Sequence, residues 1–207
     1  MFIFEIKKDK KHLSKIVLSN GEELLIDSDL CIEKGLSVND ETDAEFVKQL
    51  KEESEFKRAK SRALWHLDRM DYTENALYQK LTRAGFDKKT SASVIAWCVE
   101  FGLVDDRRYA ERYAVRCYES NISKREAIQK MHMKGLSFEL SKEVWEEMDT
   151  DEESQLAALI EKKYAYKLTQ ENGTQKVFAS LIRKGFSFSA VKTALKKYSE
   201  EIEFSED

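Results

Sequence analysis

The sequence contains no proline in 207 residues, only seven glycines and only three cysteines. Without proline, nothing forces a kink or removes a donor from a regular element, which favours long helices joined by short turns. Cys31, Cys98 and Cys117 are odd in number and widely spaced, so they supply neither a disulfide framework nor a zinc-ligand spacing. Cys98 falls on a periodic apolar position and reads as a small buried hydrophobe. No apolar run reaches eighteen residues and no signal-peptide pattern is present, so a cytoplasmic protein with no membrane partner is expected. His12, His66 and His132 stand alone, and no HExxH, Walker loop, GxSxG or GxGxxG occurs. We therefore expect no enzyme, no catalytic residue, no cofactor and no metal; a constellation for chemistry would have to be assembled wholly by the fold.

What is present is a short phrase that returns three times at a spacing of fifty residues. It reads LYQKLTRAGF at Leu77 to Phe86, AIQKMHMKGL at Ala127 to Leu136 and VFASLIRKGF at Val177 to Phe186. Gly85, Gly135 and Gly185 share one position, and Leu81, Met131 and Leu181 lie four residues before them. Fixed-period self-similarity marks a repeat architecture, in which each unit buries its apolar face against others. Each phrase reads as a helix ended by a left-handed glycine, with the next Phe or Leu packing back on the helix end.

Asp87, Ser137 and Ser187 follow the glycines and can cap a third helix, along which Val94, Val144 and Ala194, then Ile95, Trp145 and Leu195, then Cys98, Met148 and Tyr198 coincide. Ala59 to Met70, Tyr109 to Tyr118 and Leu156 to Leu168 carry apolar residues three and four apart ahead of each phrase, giving three helices per unit. Thr73 opens the second helix of the first unit; Ser123, at capping-box spacing from Glu126, opens that of the second. In the third, Asn172 and Gly173 occupy the turn and Thr174 is the expected cap. Trp65, Trp97 and Trp145 fall on periodic apolar faces and read as core anchors, with His66 and His132 in ordinary surface or partly buried roles.

The first fifty residues break the pattern. FIFEI at Phe2 to Ile6 alternates in part, and Ser14 to Leu18 and Glu22 to Ile26 flank Asn20-Gly21, a strong hairpin signal. Asp27 to Gly35 suggests one short helix, and Asp43 begins a charged helix running into the first repeat. So short a segment buries little core alone and is expected to lean on that repeat. The fold class is mainly α: tandem three-helix repeats preceded by a small strand-containing segment. The boundaries run 1–50 for that segment, 51–103, 104–148 and 149–207 for the repeats, the last with an acidic tail.

The net charge of −4 is unevenly spread. Residues 1–50 hold seven lysines and eleven acids, and 199–207 hold five acids and no base. Between Arg107 and Lys134 eight bases face three acids, and between Ser154 and Tyr198 nine face two. Arg108, Arg112 and Arg116 are four apart, which places them on one stripe of one helix beside Tyr109 and Tyr113. Lys124, Arg125, Lys130 and Lys134 follow on the next helix, and Lys176, Arg183 and Lys184 form a further cluster. Such a stripe is either a solvated face or a surface for a phosphate backbone or an acidic protein groove. Asp105 and Asp106, before a helix, read as an N-cap with favourable dipole placement.

From Ala59 to Tyr198 the chain resembles the RecX family, regulatory proteins of the RecA recombinase. The resemblance is most specific in ALWHLDRMDYTENALYQKLTRAGF and in FGLVDDRRYAERYA; SKIVLSNGEELLID and IEKGL also look like the start of the low-GC Gram-positive type. Asp105, Asp106, Arg107, Tyr109 and Ala110 match the family's DDxRYA phrase, as a signature with a structural role. The resemblance implies an elongated, curved array of three-helix repeats. It further implies a monomeric, non-enzymatic modulator that lies in the groove of the RecA filament on single-stranded DNA, restraining ATP hydrolysis and strand exchange. The filament-facing candidates are then the ten bases named above from Arg108 to Lys184. The competing readings are a helical nucleic-acid-binding module acting without the recombinase, and an interaction scaffold whose basic faces are merely solvated.

Overall fold

The computed structural model describes residues 1–10 and 12–196. Tyr198 and the acidic tail therefore lie outside the described residues. The chain divides into two compact units, the first ending at Val104 and the second beginning at Asp105.

The first unit opens with an antiparallel sheet, β1 (Ile3–Lys10), β2 (Leu13–Leu18) and β3 (Glu23–Asp27), in the order β1-β2-β3. Ile3, Ile16, Leu18, Leu24 and Ile26 point to one face and are almost wholly buried, while Phe4 and Leu25 point outward. In the hairpin turn Gly21 alone takes positive φ, at +83°. Asn20 instead turns its side-chain oxygen to accept the Glu22 amide at 3.0 Å. Helix α1 (Ser28–Glu33) starts where the Asp27 carboxylate accepts the Leu30 amide. Helix α2 (Ala44–Leu67), capped by Asp43, runs without interruption from the sheet into the first repeat. Its first turns bury Val47 and Leu50 against the sheet, and its later turns bury Ala59 and Ala63 against α3 (Glu74–Arg83) and α4 (Lys88–Glu100). One helix thus serves two cores, and this is how the small sheet acquires a surface to pack on.

The second unit holds two more three-helix groups. One is α5 (Asp106–Glu119), α6 (Lys124–Met133) and α7 (Phe138–Glu147); the other is α8 (Glu152–Lys163), the single turn α9 (Ala165–Leu168), α10 (Gly173–Arg183) and α11 (Phe188–Leu195). Each group closes on its own core, and the fifty-residue period is visible in burial: Leu77, Ala127 and Val177 are fully buried, as are Leu81, Met131 and Leu181. Gly85, Gly135 and Gly185 have φ of +95°, +99° and +89°. In every repeat the amide after that glycine donates to the carbonyl five residues back, at 3.3 Å for Phe86, Leu136 and Phe186 alike, which is the left-handed helix stop read from the sequence. Thr73 and Ser123 cap the second helices and Asp87, Ser137 and Ser187 the third.

Three expectations are corrected. Thr174 is not a cap: α10 begins at Gly173, and Asn172 precedes it in the left-handed region at φ +56° with no side-chain cap bond. A Cβ on Gly173 would lie 2.1 Å from the Lys167 carbonyl oxygen, so close backbone approach, not a hydroxyl, sets this turn. Leu156 to Leu168 is not one helix, because the chain breaks at Tyr164, which is buried with its hydroxyl 3.0 Å from Ser180 Oγ. Trp65 is no core anchor. It is 45% exposed and lies between Arg62 and Arg69, whose guanidinium carbons approach the ring to 4.6 and 3.6 Å. Trp97 is half-buried under the Lys60 ammonium, and only Trp145 is buried. His66 is buried against Trp65 and Tyr72, its pKa lowered by burial and by the nearby Arg62, Lys80 and Arg69.

Candidate functional site

Helix α5 presents two faces whose chemistry follows from its sequence. Ala110, Ala114 and Cys117 point inward; Arg108, Arg112 and Arg116 lie exposed at four-residue intervals on the other side. Asp105 fixes the start of the helix by accepting the Arg108 amide at 2.9 Å, and Asp106 sits in the first turn. Arg107 is committed elsewhere: its guanidinium donates to Glu143 and Glu147 of α7, at 2.9 and 2.5 Å, and lies 3.4 Å from Glu111, which holds its pKa well above the ordinary value. The signature residues are therefore occupied in building the helix and clamping it to α7. Between the two faces Tyr109 and Tyr113 stack with ring centroids 6.2 Å apart. Burial raises the Tyr113 hydroxyl pKa, while Lys130 of α6 and Arg116 act in the opposite sense, so these two bases flank one ring. Lys130 is itself paired with Glu126 at 2.9 Å.

The second and third repeats meet through a buried polar joint. Ser123 Oγ accepts the Glu126 amide as a cap and donates to the Lys184 carbonyl, and Gln155, itself buried, donates to the carbonyls of Tyr118 and Ile122 at 3.2 and 3.0 Å. Glu152 accepts the Ser187 amide and hydroxyl at 3.0 and 2.7 Å. Every partner here is a group that a helix end would otherwise leave unsatisfied. A Cβ on Gly185 would meet Arg125 Cβ at 2.9 Å and Ser123 Oγ at 3.0 Å, so the glycine is needed here for contact as well as for its dihedral.

Beside this joint opens a cleft of about 590 Å³, with Ile128, Phe138 and Trp145 on its walls and Lys124, Arg125 and Lys142 among its polar groups. Phe138 is half-exposed and its ring stacks on His132 at 3.9 Å. Lys124 and Lys142 share the Glu146 carboxylate at 3.1 and 3.9 Å, and its pKa is lowered chiefly by the Lys124 hydrogen bond. Arg125 makes no ion pair among the described residues.

Of the residues singled out from the sequence, the structure thus brings together Arg116 with Lys130, and Lys124 with Arg125 and the Lys184 backbone. Lys176 and Arg183 lie exposed on α10, where Lys176 reaches the Glu171 carbonyl and Arg183 Nε donates to the Ala179 carbonyl. Lys134, which ends α6, is exposed. Lys142 and the apolar cleft walls were missed. Lys142 sits in an otherwise acidic helix, and only the pairing of α6 with α7 places it beside Lys124. Among the described residues no cluster of three or more His, Cys, Asp or Glu is arranged to hold a metal ion, and no helix is long and apolar enough to cross a membrane.

The architecture defines a class: a tandem three-helix repeat protein with a small amino-terminal sheet and basic faces on its later repeats. Residues 59–98 match the model of the first three-helix domain of RecX, and residues 151–195 that of the third. The chain is 29% identical over 202 residues to the regulatory protein RecX of Clostridium tetani, covering 93% of this chain and 91% of that one. It is 30% identical over 200 residues to that of Streptococcus gordonii, covering 94% and 76%. A crystal structure of a regulatory protein RecX superposes with a TM-score of 0.71 at 20% identity, over 93% of this chain and 98% of that chain; RecX from Lactobacillus salivarius gives 0.63 at 19%, over 70% and 96%. The chain belongs to the RecX family.

Proposed function

We propose that this protein is a non-enzymatic modulator of the RecA recombinase, acting in the groove of the RecA filament on single-stranded DNA and restraining ATP hydrolysis and strand exchange. The observation that carries this reading is the division of labour on α5 and α6. Arg107 is spent on the clamp to α7, whereas Arg108, Arg112 and Arg116 are held outward on a rigid helix, continued by Arg125 on α6. A filament groove lined by phosphates and acidic protein attracts such a surface mainly through long-range attraction, so single bases contribute modestly. The working face is then Arg108, Arg112, Arg116, Lys124, Arg125, Lys130 and Lys134 on the second repeat, with Lys176, Arg183 and Lys184 on the third. The protein acts as a monomer in the cytoplasm and needs no cofactor.

The test is recombinase ATPase and filament binding with and without the purified protein. The triple change Arg108→Glu, Arg112→Glu, Arg116→Glu is expected to weaken filament binding by about tenfold or more at low salt. Folding should stay intact, since exposed charges away from packed sites shift stability by about 0.5 kcal/mol or less. Reversing Lys7, Lys8 and Lys10 in the acidic first segment should be milder; equal losses would show that the charge asymmetry does not position the protein. ATPase unchanged by the native protein would refute the modulator reading, and steeply salt-dependent binding to bare DNA would then favour a nucleic-acid module.

A further inference from the structure

The cleft beside the joint of the second and third repeats has a composition that the recombinase reading leaves unexplained. Its walls carry Ile128, Phe138 and Trp145, and its polar groups include three bases, of which two share one carboxylate and Arg125 has none among the described residues. A phosphate backbone would satisfy the charge and waste the apolar walls. The complementary ligand is an anionic peptide with apolar side chains set between its carboxylates. The chain carries such a peptide: residues 199–207 read SEEIEFSED, with Ile202 and Phe204 among five acids. We propose that the carboxy-terminal segment of this chain docks in its own cleft, Ile202 and Phe204 against the apolar walls and the flanking glutamates toward Arg125, Lys124 and Lys142.

The distances permit it. Ser187 lines the cleft and caps α11, and the nine residues from there to Lys196 advance about 13 Å at helical rise. The eight residues from 197 to 204 can span up to about 26 Å when extended, enough to double back. A tether this short gives an effective concentration on the order of 1 mM, so a segment of modest intrinsic affinity still occupies the cleft for most of the time. Docking in itself does not depend on the recombinase reading. Its consequence, that the segment competes with an anionic partner for Lys124 and Arg125, does rest on it.

The test uses the full chain and a fluorescent synthetic peptide of residues 197–207. The receptor is the double variant Ile202→Ser, Phe204→Ser, whose own segment has lost its anchors. The peptide is expected to bind this variant at least tenfold more tightly than the native chain by fluorescence anisotropy, and adding Arg125→Glu to the variant should abolish most of that binding. In the native chain, amide exchange along α6, α7 and Gly185 to Ser187 should be slower than in the double variant. Equal peptide binding to both proteins, or none to either, overturns the proposal. So does self-association of the native chain that the double variant loses, since the segment then docks in a second copy. A peptide displaced by oligothymidylate from the double variant supports the competition; docking that persists without such displacement separates this proposal from the filament-facing one.

Discussion

The second and third repeats share a phrase, a period and a glycine stop, yet they enter their second helices by different physics. In the second repeat, Ser123 caps α6 with its hydroxyl and spends the hydroxyl proton on the Lys184 carbonyl. In the third, no side chain caps α10: Asn172 takes the left-handed region and Gly173 lets the backbone pass against the Lys167 carbonyl. The difference teaches that what repeats is the burial pattern and the helix stop, while each turn is free to find its own way of satisfying the same orphan amides. It also makes the second repeat tolerant where the third is not, because a lost hydroxyl can be replaced by water and a backbone collision cannot.

The sharpest way to break the comparison is Gly173→Val. Its branched side chain would have to displace the α9 turn, and we expect a loss of about 3 kcal/mol or more, read as a lowered urea midpoint; a midpoint within error of the native one would show that the approach is not tight. Gly135→Val is expected to cost about 1–3 kcal/mol for holding a β-branched residue at φ +99°. Thermal melts of the two variants side by side should rank them in that order. Ser123→Ala should lose about 1 kcal/mol from the missing cap, and more than the equivalent Thr73→Ala only if the bond to the Lys184 carbonyl matters. Measuring both isolates that bond.

The smallest effect separates the repeats by pH. The third repeat opens on Asp151, whose carboxylate accepts the amides of Glu153 and Ser154, and its pKa is lowered chiefly by the hydrogen bonds from Ser154. A lowered native pKa gives stability that is present above the unfolded value of about 3.9 and is lost as pH falls through the native one. Asp151→Ser should therefore flatten the stability profile of the chain below about pH 4. An unchanged slope would mean that the cap does not titrate with folding.

Much of this fold is readable because its rules are local. Glycine stops, Ser, Thr and Asp caps and the buried positions 81, 131 and 181 each follow from a few neighbouring residues and emerge where the sequence places them. What was not legible depends on contacts distant in sequence. Thr174 looked like a cap because hydroxyls usually are, and nothing local announces the Lys167 carbonyl. Trp65 sits at an apolar spacing, but two arginines four and three residues away supply a cationic cover that lets it stay exposed. The candidate bases on α5 were visible from their spacing; Lys142 and the cleft walls were not, since only packing of α6 on α7 makes them neighbours.

The three cysteines are each buried in a different place: Cys31 under the sheet, Cys98 in the first repeat and Cys117 in the second, with the third repeat holding none. Burial raises the pKa of all three thiols, so in the closed state they react slowly with alkylating reagents. The molecule thereby carries its own clocks. The rate at which each thiol is trapped reports how often its particular core opens, and so measures directly whether a helix shared between sheet and repeat makes those two cores breathe together.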